Sequence, residues 1–373
     1  MNGHNDTQVN GIGNGPVGQQ RGEPLDKQCG EQVDQGLHWV FYALGGGMGH
    51  LTRTIALARA VLKDHAAKQK PINLTILTNS RFANILSVGE ELGHDHRVIT
   101  IHPDLTREEV ACHITNLLVH LEPDVLVVDT FPRGIGGELA ELLPRLRCHK
   151  VLVHRDLNPR YVERFKVAEF LNHYDQIMVP GEECRFDSQP QITRTDPWLI
   201  RDADELLAPD AARRMLEIEN GDLPVVAVLG CGRIDEVAQM RDLAIRIGRR
   251  LHGSAIVRFV TKDSDWYEIE DESNVTALGL WPFFEAIRGV SIVVGAGGYN
   301  TVHETRAAGK PLIAMPWPRL YDRQARRLTD AETVASLRDA ERRVETLIDS
   351  GDFHNDPPRF QNGVHAATAS IQL

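Results

Sequence analysis

Two series of strand-sized apolar runs, separated by segments with helical spacing, constrain this chain more than any other feature. The first series begins at LHWVFYAL (37–44) and ends at DQIMVPG (175–181), and the second runs from PVVAVLG (224–230) to PLIAMP (311–316). Buried strands that alternate with helices form parallel sheets with helices on both faces. The pattern therefore predicts an α/β protein with two Rossmann-like, doubly wound parallel-sheet domains that face each other across a cleft.

A polar stretch between the two series sets the predicted domain boundaries. Residues 37–200 are assigned to an N-terminal domain, 201–222 to a linker and 223–350 to a C-terminal domain. Residues 1–36 are rich in Gly, Asn and Gln and contain no aromatic side chain, so they are predicted to form a disordered tail. Residues 351–373 are predicted to form a polar tail.

Composition argues against several classes of protein. The chain has 41 Lys and Arg residues against 52 Asp and Glu residues, a formal net charge of −11, which disfavours a nucleic-acid partner. The longest apolar runs have the length of strands, so no transmembrane segment is expected, while peripheral contact with a membrane stays open. The five cysteines show no CxxC spacing, and no charged and apolar leader opens the chain, so a cytoplasmic location is predicted.

The segment IVVGAGGYNTVHETRAAGKPLIAMPWPRLYDRQ (292–324) carries the strongest functional signal. A buried strand runs into a glycine cluster, and a helix opens directly after it. The first N–H groups of a helix are unpaired and lie at the positive end of its dipole, so this junction suits anionic oxygens. Glu304, one turn into the helix, suits a ribose diol, and Asp322 and Gln324 on a later loop suit sugar hydroxyls. Together these residues predict a nucleotide-sugar site.

A second glycine cluster, GGGMGH (45–50), follows the first strand. The dinucleotide fingerprint GxGxxG fits it poorly, because His50 takes the place of the last glycine and the second strand ends in Thr78 and Asn79 rather than in an acidic residue. Two interpretations stay open. His50 is either a proton acceptor aimed into the cleft or a helix cap in a glycine turn that serves packing. The glycines assigned to this loop of the site are Gly46, Gly47 and Gly49.

Asp129 ends the fourth apolar strand, at the same predicted sheet edge as His50. A carboxylate that bonds one imidazole nitrogen fixes the tautomer and increases the basicity of the other nitrogen. An Asp at a strand end also commonly caps a helix or a loop, so a catalytic dyad and a cap are both open. His154 and Asp156, in the HRDL sequence at another strand end, are weighed in the same way between cleft residues and ordinary loop residues.

Three segments together resemble the GT-B glycosyltransferases, especially the family 28 group that contains the UDP-N-acetylglucosamine transferase of the peptidoglycan lipid precursor. They are the glycine loop that ends in His50, the sequence GGYNTVHE (297–304) and the sequence PxxxxYDRQ (316–324). The second is also similar to the GWNS…E box of the UDP-glycosyltransferases. The resemblance covers about residues 37–330. GHLTRTIALA (49–58) is similar as well to the nucleotide-sugar hydrolase of pseudaminic acid synthesis.

The resemblance implies a role for each matched residue. Glu304 would bind the ribose hydroxyls, and Asp322 and Gln324 would hold the donor sugar. The residues that would lie near the diphosphate are Gly297, Gly298, Asn300 and Thr301, together with Gly230, Gly232 and Arg233 from the loop after the first strand of the second domain.

The match is incomplete at one phosphate-binding position. Ala296 stands where the resembled enzymes carry a histidine or an arginine, so part of the diphosphate charge would be met by backbone N–H groups, by Arg233 or by Arg323. Arg326 and Arg327 are expected to lie over a helix surface. The segment 281–284 would border the base.

The resemblance implies an inverting, metal-independent glycosyltransferase that moves a sugar from a UDP-sugar to an acceptor hydroxyl, with UDP-N-acetylglucosamine as a candidate donor. His50 would take the acceptor proton while Asp129 orients it. No cofactor would be needed, because the UDP-sugar is a co-substrate, and the acceptor is open among a glycan, a lipid-linked molecule and a small molecule. The alternatives are a nucleotide-sugar hydrolase or epimerase of the same fold, and a non-catalytic nucleotide-sugar binding protein.

Overall fold

The structure, a computed structural model, describes most of the chain beyond the N-terminal tail. The described ranges are 36–93, 96–102, 104–186, 189–219, 221–269, 274–353 and 357–371. The predicted disordered tail, residues 1–36, lies outside them except for its last residue. Within the described ranges the strands form two parallel sheets, of seven and five strands.

The seven-stranded sheet is built by the first half of the chain. Its strands are β1 (Leu37–Ala43), β2 (Ile72–Thr78), β3 (His96–Thr100), β4 (Val125–Asp129), β5 (His149–Val153), β6 (Gln176–Pro180) and β7 (Ile192–Thr195). They lie in the order β3-β2-β1-β4-β5-β6-β7, and each neighbouring pair is parallel. The direction in which the chain moves across the sheet therefore reverses between β1 and β4.

Helices connect these strands. They are α1 (Met48–Ala67), α2 (Val88–Leu92), α3 (Arg107–Leu121), α4 (Leu139–Leu142), α5 (Pro159–Arg164) and α6 (Val167–Phe170). Helix α1 begins directly after the glycine loop, and its Leu, Ile and Ala side chains from 51 to 61 are buried. Helix α3 begins at a capping box, in which Thr106 and Glu109 satisfy each other's backbone N–H groups.

The five-stranded sheet is built by the second half of the chain. Its strands are β8 (Val225–Leu229), β9 (Ile256–Val260), β10 (Val275–Leu278), β11 (Ile292–Ala296) and β12 (Leu312–Met315), in the order β10-β9-β8-β11-β12. The accompanying helices are α7 (Pro209–Met215), α8 (Ile234–Arg250), α9 (Tyr299–Ala307), α10 (Gln324–Arg327), α11 (Leu337–Ser350) and α12 (Gly363–Ser370). The reversal point of this sheet lies between β8 and β11. Helix α7 falls within the predicted linker, 201–222.

Both faces of the first sheet are covered. Along β1, Trp39 and Phe41 belong to one apolar cluster, whereas Val40 and Tyr42 belong to another on the opposite face. Strands that are buried on both faces read as continuous apolar runs, which is why the runs were visible in the sequence. No helix in the described ranges has both the length and the apolar character that crossing a membrane requires.

The segment predicted as a polar tail, 351–373, contains α12, which packs against α1 and β7. Asn362 fixes its start, because its amide donates to the Leu199 carbonyl oxygen at 2.8 Å and its Oδ1 accepts from the Leu199 N–H at 3.0 Å. A Cβ on Gly363 would lie 1.8 Å from the Asp196 carbonyl oxygen, so only glycine allows this approach. Small side chains produce this burial, and they leave little apolar periodicity in the sequence.

Candidate active site

The candidate loops lie at the reversal points of the two sheets. The glycine loop that follows β1 leads into the first turn of α1, which carries His50, and Asp129 ends the neighbouring strand β4. In the second sheet, residues 230–233 follow β8, and residues 297–298 follow the neighbouring strand β11. Open α/β sheets bind ligands in the crevice at such a point, at the carboxyl ends of the strands. The topology therefore supplies two crevices, one from each sheet.

His50 and Asp129 are in direct contact. The His50 Nδ1 and Asp129 Oδ2 atoms are 2.5 Å apart, and the two side chains are 20% and 3% exposed. Burial opposes ionisation of Asp129, but the Arg53 charge and the hydrogen bonds from His50 and Arg53 prevail and lower its pKa to about 2. An ionised carboxylate can only accept, so the proton of this contact resides on Nδ1. In the neutral ring, Nε2 is then a proton acceptor.

Arg53 is a site residue that the sequence reasoning missed. Its Nε donates to Asp129 Oδ1 at 2.8 Å and its Nη2 donates to Asp129 Oδ2 at 2.7 Å. Its side chain is only 1% exposed. The signal for it was helical spacing, because residues three apart lie on the same face of a helix and Arg53 follows His50 by three positions.

The first glycine loop gives His50 its space. The N–H groups of Gly45 and Gly46 donate to Asn79 Oδ1 at 2.8 and 2.9 Å, so the side chain that argued against a dinucleotide site holds this loop. A Cβ on Gly45 would lie 2.5 Å from the His50 ring. An added Cβ would find no neighbouring atom within 4 Å at Gly46, Gly47 or Gly49. These glycines therefore leave an open approach to the imidazole.

The glycine cluster of the second sheet ends in the N-terminus of α9. Gly298 is the N-cap residue, and no side chain caps the first turn within the described residues. An added Cβ on Gly298 would have its nearest neighbour at 4.0 Å, whereas one on Gly297 would press on Gln324 at 3.1 Å. Thr301 is buried and Asn300 is half-buried. The uncapped N–H groups beside an open glycine suit a bound anion.

Glu304 is a half-buried carboxyl group that has no hydrogen bond or ion pair within the described part of the chain. Burial raises its pKa to about 8, and the charge of Arg201 opposes this only in part. Its charge also contributes to the raised pKa of Cys231, about 11, which burial mainly causes, so Glu304 faces the loop after β8. A half-buried carboxyl group without a protein partner can accept hydrogen bonds from ligand hydroxyls.

Two glycines after β8 are required by close packing. A Cβ on Gly230 would lie 2.4 Å from the Phe259 ring. Gly232 has φ +133°, and a Cβ there would lie 2.4 Å from a carboxylate oxygen of Glu236. Both contacts explain the glycines without a ligand. Gly230 is buried, and its N–H donates to the Val260 carbonyl oxygen at 2.8 Å, whereas Gly232 is exposed.

Arg319, rather than Arg233, is the cation that points at this loop. The Arg233 side chain is exposed and lies beside Asp235, with Nε and Oδ1 3.2 Å apart. Arg319 is ion-paired with the buried Glu236, with Nη2 and Oε2 2.5 Å apart, and lies 3.6 Å from the Cβ position of Gly232. Sequence reasoning missed Arg319, although it lies within the singled-out segment 292–324.

The two residues predicted to hold the donor sugar already have protein partners. Asp322 accepts from Arg327 Nη2 at 2.7 Å, and Arg155 Nη2 lies 3.7 Å from the same oxygen. Gln324 is buried, and its Oε1 accepts from the Trp317 N–H at 3.0 Å. Asp322 retains accepting capacity for a hydroxyl, whereas Gln324 Oε1 is engaged in fixing the loop.

The expectation that Arg327 lies over a helix surface is wrong. Its side chain is 5% exposed, and its Nε donates to Glu182 Oε1 at 2.7 Å while its Nη1 donates to the Gly297 carbonyl oxygen at 2.6 Å. Three acceptors, the two named and Asp322, draw the guanidinium inwards. Arg326 remains exposed and pairs with Glu183 at 2.8 Å.

The HRDL segment joins the two halves of the chain. Arg155 forms a two-point ion pair with Glu182, at 2.8 and 3.2 Å, and Asp156 pairs with Arg323. Arg323, considered above for the diphosphate, is therefore held by a carboxylate of the first half. His154 is buried, with its ring centroid 5.3 Å from that of Phe186.

The segment 281–284 lies at the junction with α1. Trp281 Nε1 donates to Thr52 Oγ1 at 3.3 Å, and Phe284 is fully buried in the core. Its predicted contact with a base stays a prediction. Within the described residues, no group of three or more His, Cys, Asp and Glu side chains is arranged to hold a metal ion.

Comparison with known proteins gives one family match and several structural likenesses. Residues 258–370 match the model of the glycosyltransferase family 28 C-terminal domain. No curated protein matches the chain significantly. The structure is similar to the glycosyltransferase SnogD from Streptomyces nogalater, with TM-score 0.53 and 15% identity over 90% of this chain and 99% of that one.

Two further solved structures are similar over nearly the whole of both chains. UDP-GlcNAc 2-epimerase from Neisseria meningitidis, bound to UDP-GlcNAc, matches with TM-score 0.61 and 11% identity, over 90% of this chain and 98% of that one. MurG from Acinetobacter baumannii matches with TM-score 0.52 and 11% identity, over 90% and 99%. These likenesses confirm the predicted GT-B fold with its two parallel-sheet domains. Together with the family match they support the prediction of a glycosyltransferase.

Proposed function

We propose that this chain of GT-B fold is an inverting glycosyltransferase that transfers a sugar from a UDP-sugar to an acceptor hydroxyl without a metal ion. The observation that carries the proposal is the contact between His50 and Asp129 at one reversal point, close to an uncapped helix N-terminus at the other. Arg53, on the same face of α1 as His50, lies 5.1 Å from the ring of Tyr299, the first residue of α9. The proposed base and the proposed diphosphate site are therefore neighbours.

His50 acts as the general base in this proposal. Its Nε2 takes the proton of the acceptor hydroxyl as the oxygen attacks the anomeric carbon from the face opposite the leaving UDP. Asp129 holds the Nδ1–H tautomer and stabilises the imidazolium that forms. General-base assistance of this kind contributes about 10²–10⁴-fold in rate. The open glycine loop beside the ring gives the acceptor access.

The second sheet binds the donor in this proposal. The departing diphosphate carries developing negative charge, which the N–H groups at the start of α9 and the Arg319 guanidinium stabilise. Glu304 accepts hydrogen bonds from the ribose hydroxyls and thereby gains the partner that the protein does not supply. Asp322 accepts from the donor sugar. UDP-N-acetylglucosamine is the candidate donor, and a cytoplasmic location remains a prediction from the sequence.

A nucleotide-sugar hydrolase is the second candidate, and one observation favours it. Arg53, which holds Asp129, is the arginine of the GHLTR sequence that resembles the hydrolase of pseudaminic acid synthesis. In that case His50 would activate water instead of an acceptor hydroxyl. The two candidates share the donor site and differ in the nucleophile.

The first experiment measures ligand-induced thermal stabilisation with UDP, UDP-glucose, UDP-N-acetylglucosamine and a dTDP-sugar. A ligand at about 100 times its Kd stabilises the folded state by about 2.7 kcal/mol. We expect UDP and at least one UDP-sugar to raise the midpoint, and Glu304→Ala to abolish the increase. Glu219→Gln, at an exposed glutamate of the same half, is the matched control. If none of the four ligands raises the thermal midpoint, the proposal is contradicted.

The second experiment follows radiolabelled UDP-sugar in the presence and absence of acceptor extracts. Label that moves to an acceptor, and does so at least about 10²-fold more slowly in His50→Ala, supports the transferase. Free labelled sugar that is released at the same rate with and without acceptors supports the hydrolase. Donor that binds but stays intact under every condition contradicts both enzymes.

A further inference from the structure

Tyr299 joins the two halves of the proposed active site, although no role had been assigned to it. It is the first residue of α9 and is 4% exposed. Its ring contacts two guanidinium groups from the first half of the chain, those of Arg53 and Arg155, whose Cζ atoms lie 5.1 Å and 4.5 Å from the ring centroid. Its hydroxyl oxygen accepts from the Trp198 N–H at 2.8 Å, in the segment that follows the first sheet.

The contact with the ring completes the surroundings of Arg53. Two of its nitrogens bond Asp129, whereas the buried Nη1 has no hydrogen-bond partner within the described residues. A cation over the face of an aromatic ring is attracted by the ring quadrupole, and the attraction is stronger when both groups are removed from water. Asp129 and Tyr299 therefore fix Arg53 from two sides.

The ring also contacts a second cation. The Arg155 guanidinium lies over it and is held in place by the two-point ion pair with Glu182. Burial lowers the pKa of Arg53, the Asp129 carboxylate opposes this effect, and the charge of Arg155 adds to the lowering. Removal of the ring would take away a contact that the two buried cations share, and Arg53 would lose one of the two groups that hold it in its present position.

We propose that Tyr299 is a positioning residue, which holds Arg53 and, through it, Asp129 and His50 in register with the donor helix. The inference rests on the proposed function, because it assigns the start of α9 to the donor diphosphate. A donor bound there contacts the turn that begins with Tyr299, so donor binding and the geometry of the proposed base are linked by one chain of contacts. Tyr299 itself takes no part in proton transfer.

The test uses the ring nitrogens of His50 as the readout, because these report the dyad directly. Full-length protein labelled with ¹⁵N-histidine is compared as wild type, Tyr299→Leu, Tyr299→Met and Tyr299→Phe, with His50→Gln to assign the signals. We expect the Nδ1–H signature of His50 in wild type and in Tyr299→Phe, which keeps the ring. We expect it to be lost or shifted in the Leu and Met variants, as in Arg53→Met. Tyr267→Leu, at an exposed tyrosine of the same half, is the control.

Two further measurements separate this inference from the proposed function. UDP titration is expected to shift the His50 signals in wild type and in Tyr299→Phe. The Kd of Tyr299→Leu for UDP is expected to lie within about threefold of the wild-type value. In the transfer reaction kcat of Tyr299→Leu is expected to fall about 10²-fold, as a misplacement of about 1 Å can cost. If UDP fails to bind wild type, the proposed function fails, while the His50 signature still tests the inference. A folded Leu or Met variant with an unchanged His50 signature overturns it.

Discussion

The two helix N-termini that follow the glycine clusters share one architecture and differ in how their polar groups are satisfied. At the start of α1, Asp129 accepts hydrogen bonds from His50 and Arg53. Its Oδ2 pairs with His50 Nδ1 and Arg53 Nη2, and its Oδ1 pairs with Arg53 Nε. At the start of α9 the first turn is uncapped, and Glu304 lacks a partner within the described residues. Both helices begin at a glycine without a side-chain cap, so the difference lies in the side chains: those at α1 are paired within the protein, whereas Glu304 at α9 is left for a ligand.

This difference separates a group that performs chemistry from a group that binds. A general base needs a fixed orientation before the substrate arrives, which internal hydrogen bonds provide. A binding site gains affinity when polar groups that have no hydrogen-bond partner in the protein form hydrogen bonds with the ligand. The pKa values follow the same division, since Asp129 is lowered to about 2 and Glu304 is raised to about 8.

The largest expected effect is on catalysis. His50→Ala is expected to lower kcat by about 10²–10⁴-fold, because the general base is lost. The Kd for UDP, measured by calorimetry, should stay within about threefold, because His50 belongs to the site whose side chains are paired within the protein and not to the binding site. His65→Ala, at a histidine of α1 outside the candidate site, is the control. A loss of UDP affinity as large as the loss of kcat would remove the distinction between the two sites.

The second expected effect is on stability. Arg53→Met leaves the buried carboxylate of Asp129 without its main counter-charge, which typically costs about 3–5 kcal/mol. Denaturant unfolding should show this cost, and the double variant Arg53→Met/Asp129→Asn should recover part of it because the unpaired charge is gone. If the double variant is as unstable as the sum of the two single variants, the ion pair is not the cause.

The third effect is a pH dependence of opposite sign in the two sites. The pKa of Asp129 is lowered from 3.8 to about 2, so its contribution to stability is present above pH 3.8 and is lost as the pH falls through 2. The pKa of Glu304 is raised from 4.5 to about 8, so the folded state loses stability as the pH rises from 4.5 to 8.

Glu304→Gln removes the second dependence. The thermal midpoint of the Glu304→Gln variant should equal that of wild type near pH 4.5 and exceed it by about 5 °C at pH 9. At the higher pH the half-buried Glu304 of wild type must ionise. Saturating UDP should reduce the difference, because ribose hydroxyls stabilise the ionised form. Glu219→Gln should show no such pH dependence, and an equal difference at both pH values would exclude Glu304 as its source.

The smallest effects concern the glycines around His50. Gly49→Ala lies within α1 with open space around the added Cβ, so we expect a gain of about 0.5–1 kcal/mol in stability. Gly45→Ala places a Cβ 2.5 Å from the His50 ring and should displace it. Transfer activity should therefore fall more in Gly45→Ala than in Gly49→Ala. Loss of activity in Gly49→Ala without loss of stability would indicate that a ligand approaches α1 at that position.

The sequence predicted what depends on strands and their ends. Parallel strands bring their carboxyl ends to one edge, so His50 and Asp129 could be assigned to the same edge from two separate motifs, and the fold followed from the same alternation. Arg53 was within reach of helical spacing. The catalytic and binding roles of these residues remain predictions, because geometry alone does not show chemistry.

The contacts between the two halves of the chain could not be predicted. Arg155 and Glu182 of the N-terminal domain form one buried network with Arg327 of the C-terminal domain, which follows Glu182 by 145 positions. No local pattern distinguishes such arginines from exposed ones, which is why Arg327 was expected on the surface. Asp322 was predicted to be a free sugar ligand for the same reason, because its ion pair with Arg327 forms only in the folded loop.

The return of α12 to the first domain has a consequence for synthesis of the protein. Domains of a nascent chain generally fold in order, the N-terminal one first. Here the groove between α1 and the β7 edge is filled by a helix that leaves the ribosome after the entire second domain. The first domain therefore emerges with an apolar surface that stays open to chaperones until residues 363–370 have been translated, and a chain that lacks this helix would leave the surface exposed.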